Sequence, residues 1–87
     1  MIEFEVLERP GCGLCESLAA ELDALLEGHA ACRVARPVDS DPTLARRFGH
    51  HVPVVRVGGA VLCAHRLDAA RVAAVLAGER WEPLALR

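Results

Sequence analysis

Lysine and tyrosine are both missing from this chain, and aromatic side chains make up only 3% of its 87 residues. With two Phe and one Trp, the core has to be filled by Leu, Val and Ala. All basic charge is arginine, a bias of composition rather than ten bidentate anion sites. Neither sign of charge dominates. The formal net charge is −2 and the pI about 6.0, which leaves no electrostatic footprint for nucleic acid or an anionic membrane. No apolar run approaches the roughly 20 residues of a membrane span. Repeats, linkers and low-complexity tracts are also absent. The first residues, Met1-Ile2-Glu3-Phe4-Glu5-Val6-Leu7, carry acids where a secretory leader has a basic region. A cytoplasmic protein is therefore expected, in a compartment where a structural framework of four disulfide-bonded cysteines is improbable.

The chain has the length of one small domain. We expect that domain over residues 1–80, with a C-terminal tail at 81–87. Ile2, Phe4 and Val6 alternate with Glu3 and Glu5, the period of a strand with one buried face. Pro10-Gly11 ends it. Leu14, Leu18, Leu22, Leu25 and Leu26 recur at helical spacing from about Gly13 to Glu27, with Gly28 as the stop. Residues 31–38 alternate as a second strand. Asp41-Pro42 has the N-cap and first-turn chemistry of a helix start, and Gly49 stands at that helix's end. Val52 to Val57 and Ala60 to Cys63 read as strands joined by the two-residue turn Gly58-Gly59. Leu67-Asp68 opens a last helix that uses Val72, Val75 and Leu76. The order is βαβαββα. A β-α-β start implies a parallel pair and the hairpin adds an antiparallel one, so the expected architecture is α/β, a mixed four-stranded sheet flanked by three helices.

The chemistry lies in Arg9-Pro10-Gly11-Cys12-Gly13-Leu14-Cys15. Two thiols three residues apart on a helix face one side and stand within disulfide reach. Strand before and helix after is the context of a redox Cys-x-x-Cys. Cys12 falls at the helix N-terminus, where free amides and the macrodipole favour a thiolate and so a lowered cysteine pKa. Cys12 is the expected nucleophile and Cys15, a turn further in, the expected resolving thiol. Gly11 and Gly13 leave the sulfur open to a substrate. Cys32 reads as a buried filler. Cys63 is left open between filler and third thiol, and His50-His51 between solvated loop and thiol neighbour. Trp81 is expected to cover an apolar patch.

Together, Arg9 to Glu16, Val38-Asp39-Ser40-Asp41-Pro42, His51-Val52-Pro53-Val54 and Val57-Gly58-Gly59 resemble the glutaredoxin-like family of short bacterial thioredoxin-fold proteins. The similarity runs over roughly residues 2 to 78. It implies a thiol–disulfide oxidoreductase whose Val52–Pro53 peptide is cis and beside the dithiol, with the Val52 backbone pairing an extended substrate. It implies Arg9 as the basic residue that meets substrate. A disulfide-bearing protein or small thiol is the implied substrate and a thiol or reductase the electron donor. No tightly held cofactor or metal is expected, glutathione is the candidate co-substrate, and a monomer is expected. Gly13 and Leu14 replace the family's usual Pro and aromatic, and Cys63-Ala64-His65-Arg66 replaces its glutathione contacts. Metal or iron–sulfur binding and a non-catalytic interaction domain are the alternative functions.

Overall fold

A computed structural model describes residues 1–86; Arg87 of the expected tail lies outside the described residues. Strand β1 (Ile2–Glu8) leads to α1 (Gly13–Leu26), β2 (Ala31–Pro37), a 3-10 turn (Val38–Ser40), α2 (Pro42–Phe48), β3 (Val54–Val57), β4 (Ala60–Ala64) and α3 (Ala69–Leu76). The sheet order is β2-β1-β3-β4. β1 runs parallel to β2 and antiparallel to β3, and β3 antiparallel to β4.

Alternation along β1 sends its side chains to two cores. Phe4 and Val6 meet Leu18, Leu22 and Leu26 of α1 and Val72 and Val75 of α3. Leu7, on the opposite face, meets Val38, Leu44, Phe48, Val54 and Val61. The buried stripe of α1 is Cys15, Leu18, Leu22 and Leu26, at the three- and four-residue spacing of one helix face. Leu14 and Leu25 fall outside it, 49% and 37% exposed. Leu14 and Cys15 are about 100° apart on the helix, so only one of them points inward. Cysteine took that place.

α2 is two turns long and covers only part of its face of the sheet. Beyond it Glu5 lies between Arg36, at 2.8 Å, and Arg56. Cys32 stands opposite Glu3 in the parallel register, on edge strand β2, and is half-buried. The expected core filler is thus a rim residue, because no helix reaches over that end of the sheet. Strand β3 begins at Val54 rather than Val52, and Val52–Pro53 lies just before it. Gly58 and Gly59 both have positive φ, 58° and 82°, the conformation a two-residue hairpin of the correct twist requires.

Candidate active site

Sheet register brings the site together. Leu7 near the end of β1 lies opposite Val54 at the start of β3, so the chain leaving β1 and the chain entering β3 meet at one end of the sheet. The first carries Arg9 to Cys15 and the second His50 to Pro53.

Cys12 is the N-cap of α1, and its Sγ accepts the backbone N–H of Cys15 at 3.1 Å. The two Cα atoms are 5.2 Å apart and the sulfurs pair as a disulfide. The two thiols are not equivalent. Cys12 is half-buried, whereas Cys15 is 3% exposed. Gly11 turns the chain into the helix with φ 73°. A Cβ on either Gly11 or Gly13 would meet no atom within 4 Å, so both flank the sulfur with open space. A cleft of about 210 Å³ lies between Arg9–Cys12, Cys15–Glu16 and Pro37. Larger hollows, of about 420 and 530 Å³, run along α3 and the tail, so the site is assigned on thiol geometry rather than size.

The Val52–Pro53 peptide is cis, Pro53 is buried and Val52 half-buried. His65, in the left-handed region at φ 71°, turns the end of β4 so that its N–H donates to the Pro53 carbonyl at 2.8 Å. The His65 ring then stands near His51, Nε2 to Nδ1 3.4 Å. His51 therefore has a ring partner that the sequence alone did not suggest.

Arg9 borders the cleft, but most of its fork is turned into the protein. Nε and Nη2 donate to the two carboxylate oxygens of Asp39 at 3.0 and 3.2 Å, and Nη1 donates to the Gly49 carbonyl at 2.9 Å. The hydrogen bonds from Arg9 hold the Asp39 carboxyl below the usual carboxylate range, and Asp39 raises Arg9 in turn. Nothing in the local pattern flags Asp39 as a partner; it reads as part of a helix-start cluster.

Cys63 is 4% exposed in the core between the sheet and α3. Burial pushes its thiol up, against a lowering hydrogen bond from the Asp68 backbone. It packs as a core residue. Among the described residues, no three or more His, Cys, Asp or Glu side chains gather in a way that could hold a metal ion. Arg71, which no sequence motif marks, donates from Nε to the Leu62 carbonyl at 2.6 Å, and its Nη2 reaches the carbonyl of Glu82.

A four-stranded mixed sheet between helices, with a dithiol at the first helix N-terminus, defines the class: a thioredoxin-fold protein. Within that class, the chain belongs to the glutaredoxin-like domain family (DUF836), whose model matches residues 3–77. Its fold is similar to the solution NMR structure of protein Ne2328 from Nitrosomonas europaea. The TM-score is 0.79 at 28% identity, over 86% of this chain and 91% of that one. It is also similar to the X-ray structure of protein XcR50 from X. campestris, with a TM-score of 0.66 at 28% identity over 88% and 99% of the two chains. A search of curated proteins gives no match.

Proposed function

We propose that the protein is a small cytosolic thiol–disulfide oxidoreductase that acts as a monomer through a two-thiol cycle. The observation that carries this reading is the seat of Cys12. Its sulfur caps α1 and accepts the Cys15 N–H at 3.1 Å, with the buried Cys15 sulfur beside it. A helix N-terminus stabilises negative charge, and the thiolate is the attacking form of cysteine.

In the forward cycle the Cys12 thiolate attacks one sulfur of a substrate disulfide, RS–SR′. A Cys12–SR bond forms, the S–S bond breaks and R′S⁻ leaves. Cys15 then loses its proton to solvent and attacks the Cys12 sulfur. The Cys12–Cys15 bond forms as RS⁻ departs. Two electrons have moved from the dithiol to the substrate, and both released thiolates take up protons. A thiol donor, with glutathione as candidate co-substrate, or a reductase returns the two electrons. No tightly bound cofactor enters the cycle. Gly11 and Gly13 leave approach to Cys12 open. The Val52 backbone, just before cis-Pro53, offers an edge for an extended substrate.

The test is turnover of hydroxyethyl disulfide under a chemical thiol reductant. Cys12→Ser is expected to abolish it, and Cys15→Ser to leave a Cys12 mixed disulfide visible by mass spectrometry. Wild-type turnover by Cys12→Ser would rule the reading out.

A further inference from the structure

We propose that Arg9 is a positioning residue, a clasp that sets the Cys12 loop against the Val52–Pro53 segment through Asp39 and Gly49. The inference rests on the proposed dithiol reaction. Three of the five guanidinium N–H groups are directed at the protein: two to the Asp39 carboxylate at 3.0 and 3.2 Å and one to the Gly49 carbonyl at 2.9 Å. The partners come from different elements. Asp39 lies in the 3-10 turn after β2, and Gly49 closes α2 just before His50 to Pro53. Arg9 itself stands three residues before Cys12. One side chain thereby joins the segment that carries the nucleophile to the segment that carries the substrate-pairing edge. On its other side the same Val52–Pro53 segment is tied to the end of β4 by the His65 N–H to Pro53 carbonyl bond at 2.8 Å.

Gly49 is also a position where the chain has little room. Its φ and ψ of −56° and −30° are ordinary helical values open to any residue, so the backbone does not demand glycine there. Space does. A Cβ at this position would run into the Ala45 carbonyl oxygen and lie 3.3 Å from Nη2 of Arg9. None of the other glycines would bring a Cβ within 4 Å of any atom. The Ala45 carbonyl excludes a side chain at 49, and the Arg9 guanidinium is a second close neighbour there.

The clasp gives Arg9 a different role from the receipt of a substrate carboxylate. Exchange requires the substrate to pair with the Val52 backbone while its disulfide lies in line with the Cys12 sulfur. Small misplacements at such a geometry cost a large factor in rate. Lysine offers a point charge without the fork, so it does not replace arginine here.

The experiment compares the wild type with Arg9→Gln, Arg9→Lys, Asp39→Ala and the Arg9→Gln/Asp39→Ala double variant. Substrates are uncharged hydroxyethyl disulfide and dithiodiglycolate, which carries carboxylates. Each single change is expected to lower kcat/KM about tenfold on both substrates. The double variant is expected to be no slower than Arg9→Gln alone, while Cys12 alkylation in the reduced protein stays at the wild-type rate. A loss confined to dithiodiglycolate and to the Arg9 variants overturns the proposal in favour of substrate binding. Amide hydrogen exchange supplies a readout that does not depend on turnover. Asp39→Ala is expected to speed exchange of both the Cys15 and the His51 amides about 2–5-fold, the scale of an exposed ion pair. Unchanged exchange at both overturns the clasp. A wild-type protein that turns over neither disulfide counts instead against the oxidoreductase reading.

Discussion

Cys12 and Cys63 put the same side chain in opposite environments. Cys12 meets a free amide at a helix start, whereas Cys63 is sealed between the sheet and α3 and its thiol is pushed up by burial. With the reduced protein at neutral pH, iodoacetamide is expected to modify Cys12 and to leave Cys63 unmodified until the chain unfolds, as read by peptide mass spectrometry. Rapid native modification of Cys63 would contradict its packing. The same burial gives stability a pH dependence whose sign is set. An unfolded thiol ionises near ~8.5, while the folded Cys63 keeps its proton to higher pH. Above that point the unfolded state binds fewer protons, so stability falls as pH rises. Cys63→Ala is expected to remove this part of the alkaline slope in denaturant titrations, whatever it costs in packing. Residue identity and spacing single out Cys12 and Cys15 as a pair within disulfide reach. They put Cys32 in the core and leave Cys63 open, whereas the structure buries Cys63 and leaves Cys32 half-buried, because burial depends on what lies above each strand and α2 is too short to reach Cys32.

At the scale of elements, helix period and cap chemistry explain most boundaries. Asp41 accepts the Thr43 N–H at 2.7 Å and Pro42 follows at the first helical position. Asp41→Ala is expected to destabilise the protein by about 1 kcal/mol, measured as a lower urea midpoint with an unchanged slope. The apolar pattern of α1 was legible as a helix, but its inward face was not settled by leucines alone. Leu22 is fully buried and Leu14 is not. Leu22→Ala is expected to cost about 2–5 kcal/mol, and Leu14→Ala to stay within about 0.5 kcal/mol. Equal losses would mean that the stripe is misassigned. Gly49 illustrates the reverse case. Its position at the end of α2 was readable, yet its reason is the close approach of atoms rather than an unusual backbone angle.

Across the whole molecule, the segment after α3 ties the two cores together. Trp81 packs against the cluster beneath α1 and α3, and Leu86 against the cluster beneath α2. The Leu84 N–H donates to the Val61 carbonyl at 2.8 Å on edge strand β4, and Arg71 holds the carbonyls of Leu62 and Glu82. Truncation after Gly78 therefore exposes apolar surface and frees a strand edge. It is expected to lower Tm by at least about 4 °C, the shift that ~1 kcal/mol produces in a domain of this size. An unchanged Tm would show that the tail adds nothing to the fold.

The sequence by itself determined the βαβαββα order, the hairpin at Gly58-Gly59 and the dithiol at the start of α1. These follow from hydrophobic period, turn chemistry and cap chemistry, which act within a few residues of chain. Tertiary structure alone decided the sheet order β2-β1-β3-β4, the half-burial of Cys32, the pairing of His51 with His65 and the partners of Arg9. Each depends on groups far apart in the chain, and Arg9 lies 30 residues from Asp39 and 40 from Gly49. Only closure of the sheet brings such groups within hydrogen-bonding distance, so no local pattern can announce them.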